Sequence, residues 1–200
     1  MPRSLSRLAL VAALTLTGCS DGASEESSWQ ELAVADLEGE QAAMFQHAKD
    51  AASTLGKTMV AELTKRMAED GPVAALEHCR LRAPEIRTEV ASSLKGIQGI
   101  GRTSHKLRNA ANTPPQWALR AVEAADGKPH AFAAPGGALH VLLPIPVQPT
   151  CLVCHGAGET MPEELKSELQ LHYPHDQATG FQAGDLRGWF WVEVPPSPQD

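Results

Sequence analysis

Along residues 37–69, apolar side chains return every three or four positions. Ala48, Ala52, Leu55, Met59, Leu63 and Met67 form one stripe, with Lys49, Lys57, Glu62, Lys65, Arg66 and Glu69 off it. A sustained 3.6-residue repeat predicts the longest helix of the chain. Asp70-Gly71 stops it, and Pro72 is well placed as the first residue of the next helix, where its missing N–H is no loss. That second helix, predicted over 72–80 and closed by Pro84, puts Val73, Leu76 and Cys79 roughly on one inward face. The pattern then changes. A Gly-broken, partly alternating stretch at 97–104 reads as a strand, and 115–126 as a short helix. Strands at 130–133 and 139–147 flank Pro135-Gly136-Gly137 as a hairpin. Pro144 and Pro146 argue that the second of these is an edge strand or leaves the ladder. A helix at 162–171 has Pro162 at its start and Glu163 and Glu164 in its acidic first turn. A last strand covers 186–194 before Pro195, Pro196 and Pro198. Helices followed by a small antiparallel sheet with helical insertions define an α+β domain.

The ends read differently. Arg3 and Arg7 precede an apolar run from Leu8 to Thr17, of signal-sequence length and too short for an ordinary membrane span. It ends in Leu16-Thr17-Gly18-Cys19, which resembles a bacterial lipobox and predicts a signal peptide over 1–18 with Cys19 lipidated. Multiple acyl chains on Cys19 would hold the protein on a membrane face without spanning it. Ser20 after the lipidated residue leans toward the outer membrane, so the expected place is the bacterial cell envelope, facing the periplasm. Residues 19–36 are expected to be lipidated tether, 37–195 the folded domain, and 196–200 a polar tail.

Composition narrows the partners. The chain holds 17 Lys and Arg against 24 Asp and Glu, and losing Arg3 and Arg7 makes the balance more acidic still. No basic cluster follows a phosphate backbone, so nucleic acid is not an expected partner. With 42 % hydrophobic residues but four Trp, four Phe and one Tyr, the core is largely aliphatic.

The chemistry concentrates in Cys151-Leu152-Val153-Cys154-His155, a C-x-x-C-H of the kind that attaches c-type haem. Two thiols at this spacing form thioethers to the vinyl groups, and the adjacent imidazole becomes an axial ligand of the iron. A zinc site would want a second Cys/His pair at ligand spacing, which is missing. A redox C-x-x-C would normally open a helix in a βαβ unit, whereas Pro149 precedes this one and Gly156 and Gly158 follow. The cysteine count then isolates one thiol. Cys19 is assigned to lipid and Cys151 and Cys154 to haem, which leaves Cys79 alone in an oxidising compartment. The iron is one candidate partner; a buried, inert thiol is the other reading. The basic, amide-rich stretch after residue 101 offers Arg102, Lys106 and Arg108 as contacts for haem propionates, because guanidinium matches carboxylate as a fork.

Several ordered segments resemble one family. They are Cys79 with Ala83-Pro84-Glu85-Ile86, then Gly101 to Asn109, Asn112-Thr113-Pro114-Pro115-Gln116-Trp117, and Pro144-Ile145-Pro146. Cys151 to Gly156, Tyr173-Pro174-His175-Asp176, Ala178-Thr179-Gly180 and Gly184-Asp185-Leu186-Arg187-Gly188 continue the series. Together they are similar to the PAS-like c-type haem domain once classed as a domain of unknown function, found in cyanobacterial haem proteins and in extracytoplasmic sensor regions of bacterial signalling proteins. The likeness spans about residues 40–194 and departs at Ala110, where the family pattern has Pro. It implies a PAS-like antiparallel sheet with packed helices, including a long N-terminal one. It also implies one covalent haem c, ligated by His155 and by Cys79. Met161, His172 and His175 are competing ligands by sequence position; His105, His130 and His140 read as surface or core.

Two functions follow as expectations. One is a redox or gas sensor, since thiolate donation favours ferric iron and holds the potential low; without an output domain, it would report through an unidentified signalling or redox protein. The other is a single-haem electron carrier. Catalytic turnover is not expected, because filled axial positions leave no open coordination site.

Overall fold

The computed structural model describes Met1 and residues 29–196. The expected signal peptide, Cys19 and most of the expected polar tail lie outside these residues. Chain order gives β1 (Gln30–Leu32), α1 (Gly39–Ser93), β2 (Gly99–Thr103), α2 (Leu119–Ala124), β3 (His130–Ala133), β4 (Leu139–Pro146), α3 (Leu152–His155), α4 (Glu163–His172) and β5 (Leu186–Val194). The strands form one antiparallel sheet in the order β1-β3-β4-β5-β2. This is the expected α+β architecture, a long N-terminal helix on a five-stranded sheet.

α1 is a helical hairpin. Gly71 (φ 82°, ψ 179°) leaves helical geometry where the stop was expected, and Pro72 opens the second arm. Glu62 Oε2 and His78 Nε2 lie 2.8 Å apart. Sixteen residues of unbroken helix would separate them by about 24 Å, so the arms must run back along each other. The bond between His47 Nε2 and the Lys95 carbonyl, 2.8 Å, closes the open end of the hairpin. Pro84 does not end the second arm, contrary to expectation. The helix runs through it to Ser93 because Ile86 and Val90, beyond the proline, are buried in the core. Their burial offsets the lost backbone bond. Arg82 adds ion pairs to Glu85 and Glu89 across the same turn.

Each strand alternates between two apolar layers. Ala131, Leu139, Val141, Val192 and Val194 face α1, against Met44, Ala48, Ala52, Leu55, Ile86 and Val90. Phe132, Leu142 and Trp189 face the other way, against Trp117, Ala118, Ala121 and Val122 around α2. The predicted stripe is buried from Ala48 to Leu55, while Leu63 and Met67 run past the sheet and are half-buried. Among the described residues no helix is long and apolar enough to cross a membrane.

Two expectations change. The tether does not extend to residue 36: Gln30–Leu32 pairs with Ala131 to Ala133 and forms the outer strand. β4 is central, with both prolines inside it. They are tolerated because β3 pairs only with Leu139 to Leu142, so the proline end of β4 has one free edge and shifts register between Ile145 and Pro146.

Candidate functional site

The C-x-x-C-H segment lies at the end of β4. Pro149–Cys151 forms a 3-10 turn that runs straight into α3. Gly156 stops α3, donating its N–H to the Leu152 carbonyl at 2.8 Å. A Cβ at Gly156 would lie 2.5 Å from that oxygen, so glycine alone fits this close approach.

The loop that returns from α4 locks onto α3. His155 Nδ1–H donates to the Ala178 carbonyl at 2.7 Å, and the N–H groups of Gly180 and Phe181 donate to the Gly156 and His155 carbonyls at 2.9 and 3.0 Å. With Nδ1 carrying the proton, Nε2 keeps its lone pair and is the nitrogen free to ligate a metal. Burial, reinforced by the positive charges of Arg108, Arg187 and Arg102, holds the imidazole neutral by depressing its pKa to about 3.

Arg108 joins three parts of the site. Its Nε donates to Asp176 Oδ2 at 2.9 Å. One terminal nitrogen donates to the carbonyls of Cys154 and, at 3.2 Å, Ala178. Asp176 Oδ1 accepts the Ala178 N–H at 2.7 Å, closing the ring. Arg108 is thus committed to holding α3 and the His155 acceptor in place.

Cys79 lies on the second arm of α1, beside Val73 and Leu76, which pack with Cys154, Met161, Leu165, Leu169 and Tyr173. Cys79, Cys151 and Cys154 are free, half-buried thiols. Burial pushes the Cys79 thiol up, while Arg102 and Arg108 pull it down. The same two arginines act on His155, and Cys79 acts on Cys154. Cys79 and His155 therefore share one electrostatic pocket. Among the described residues no three His, Cys, Asp or Glu side chains gather as a bare-metal site.

The remaining predicted residues separate clearly. Arg102 lies on β2 at the pocket, and Lys106 is exposed, its ammonium 5.0 Å from the Phe181 ring centroid. Met161 is buried in the Leu76 cluster, His172 reaches Glu168 at 3.2 Å, and His175 is exposed. Cys19 lies outside the described residues. Sequence reasoning missed Arg187, whose guanidinium donates to Ser104 Oγ at 3.1 Å and the Lys106 carbonyl at 3.2 Å. The signal was present in Arg187-Gly188. Gly188 (φ 155°) sits so close to β2 that a Cβ would lie 2.2 Å from the Thr103 carbonyl, and this contact brings Arg187 to the pocket.

Fold and site together define an antiparallel-sheet domain with a C-x-x-C-H helix at the end of its central strand, and a helical hairpin that carries a third thiol and packs Val73 and Leu76 beside Cys154. The chain belongs to the Tll0287-like family, whose profile matches residues 30–195. Its structure is similar to that of the cyanobacterial heme-protein Tll0287, with a TM-score of 0.54 and 22 % identity, covering 80 % of this chain and 96 % of that one. No curated protein matches the chain.

Proposed function

We propose that this is a c-type haem protein of the bacterial cell envelope, anchored through lipidated Cys19, in which Cys151 and Cys154 carry one haem and His155 and Cys79 ligate its iron. The observation that carries this reading is the His155 hydrogen bond to Ala178. It fixes the tautomer that frees Nε2, on a neutral imidazole directly after two free thiols. Membership of a family with a structurally similar heme-protein supports it. The bound haem would supply a one-electron iron couple whose potential is lowered by a thiolate ligand.

The chain's own residues divide the labour. Burial keeps the Cys79 thiol protonated against the pull of Arg102 and Arg108, so it would become a soft anionic donor only when a bound iron displaces its proton. The wall of Leu76, Met161, Leu165 and Leu169 excludes water on that side. Arg108 and Asp176 keep α3 and the loop bearing Ala178 in register. The reading favoured is a redox or gas sensor that reports to a protein partner; the second is a single-haem electron carrier, which the same covalent site would serve.

Expression in a host that matures c-type cytochromes tests the reading. Haem should survive denaturing electrophoresis in the wild type and be lost in Cys151→Ser/Cys154→Ser; haem that washes out of the wild type sinks it. Binding of CO or NO to the reduced protein with loss of the Cys79 ligand favours sensing. A potential in the range of His/Met carriers, with no gas binding, favours electron transfer. Loss of the membrane-fraction signal in Cys19→Ser tests the anchor.

A further inference from the structure

Three arginines of the helical hairpin have carboxylates: Arg66 with Asp70, Arg80 with Glu77, Arg82 with Glu85 and Glu89. At the pocket Arg108 has Asp176. Arg102 and Arg187, at the pocket, have none within ion-pair distance among the described residues. Loss of water makes a counter-charge more necessary at these two positions. Burial lowers the pKa of both, Arg187 to about 10, and the guanidiniums of Arg102 and Arg108 add repulsion at Arg187.

The donor inventory points the same way. A guanidinium has five N–H donors. Arg108 spends its Nε and one terminal nitrogen on Asp176, Cys154 and Ala178. Arg187 uses one terminal nitrogen for Ser104 and Lys106, which leaves its Nε and the other terminal nitrogen without an acceptor among the described residues. Arg102 makes no side-chain hydrogen bond among the described residues. Lys106 and Arg187 both lie against the Phe181 ring, at 5.0 and 5.6 Å, and that ring meets His155 edge-on at 6.3 Å. Uncommitted cationic donors therefore collect beside the C-x-x-C-H helix, on the side marked by Phe181.

We infer that Arg102 and Arg187 form the seat of the haem's two propionate groups, with Lys106 at its rim, and that Arg108 is a positioning residue that does not contact them. The inference rests on the haem reading above and adds a residue, Arg187, to the site. The ligand chemistry is a pair of carboxylates taken by guanidinium forks. A free phosphate or carboxylate from solution would satisfy the same donors, so the test separates the two sources.

Resonance Raman spectra of the propionate bending modes, and the pH dependence of the midpoint potential, are recorded on covalently loaded wild type, Arg187→Gln and Arg102→Gln. Both variants should shift the propionate modes. Each should also bring in a pH-dependent potential on the acid side of neutrality, because a propionate without its arginine takes up a proton more readily. Arg187→Lys should restore the flat pH profile but not the wild-type modes. If Arg187→Gln does not accumulate as folded protein, Arg187→Lys carries the mode measurement alone. Wild-type modes and a wild-type pH profile in the Arg187 variant overturn the inference. So does a potential that responds to added inorganic phosphate in wild type but not in Arg187→Gln, which would mark a free-anion site. A wild type whose haem is lost on denaturing electrophoresis removes the underlying reading, and that result is read separately from the propionate modes and the pH profile.

Discussion

Replacing Arg108 by methionine isolates the brace that holds the C-x-x-C-H helix. The Arg108 and Asp176 side chains are only 10 % and 11 % exposed and meet at 2.9 Å. The methionine keeps much of the stem but strands Asp176 and removes the donor shared by the Cys154 and Ala178 carbonyls. Breaking a buried pair by deleting one partner costs about 3–5 kcal/mol. For a domain of this size each kcal/mol lowers Tm by roughly 2–4 °C, so the variant should melt about 6–20 °C below wild type. Arg66→Met is the control, because its partner Asp70 and Arg66 itself are both well exposed, and such pairs contribute about 0–1 kcal/mol. Guanidinium denaturation of both variants, with Asp176→Asn and the double variant completing a cycle, gives the coupling energy. A loss at Arg108 no larger than at Arg66 would refute the claim that this arginine is structural. It would return Arg108 to the set of propionate contacts.

Other expectations follow from single positions. Gly188→Ala should destabilise by more than Gly136→Ala, since both demand positive φ but only at 188 does the new Cβ strike backbone, 2.2 Å from the Thr103 carbonyl; chemical denaturation compares them, the conformational part alone being about 1–2 kcal/mol. Leu55→Ala, at a fully buried position between α1 and the sheet, should cost about 2–5 kcal/mol, whereas Leu81→Ala, 54 % exposed, should stay within about 0.5 kcal/mol. Burial lowers the pKa of His105 and His140, against the opposing Glu193 charge at His140. The folded state then binds fewer protons than the unfolded one, so the stability these residues allow is full above about pH 6.5 and falls as pH drops below it. Denaturation midpoints of the loaded protein across that range should show the decline, and His105→Gln/His140→Gln should flatten it; an unchanged slope in the double variant rejects the assignment.

Much of this was legible in the chain because the signals were local. The Asp70-Gly71-Pro72 stop, the strands at 130–133 and 186–194, and the C-x-x-C-H each carry their meaning within a few residues. What failed was decided by distant partners. Pro84 reads as a terminator until Ile86 and Val90 are seen buried under the sheet. Pro144 reads as an edge residue until β4 is seen to be central, with β3 too short to reach it. Gln30–Leu32 has no strand signal of its own and is ordered by β3. At the site, the basic stretch was recognised but its division was not. Arg108 differs from Arg102 because Asp176, 68 residues away, lies beside one and not the other. Arg187 enters from a different strand, through a glycine contact that has meaning only once β2 and β5 are paired.

The ligation of the iron is the point on which the account stands. Electron paramagnetic resonance of the ferric protein, wild type against Cys79→Ala, measures it most directly. The account predicts a low-spin signal of thiolate character in the wild type, replaced in the variant by a high-spin or differently ligated species while the covalent haem is retained. Identical spectra in the two proteins would contradict it, and would leave Cys79 as a buried thiol and His155 as the one ligand this chain supplies from the residues named here.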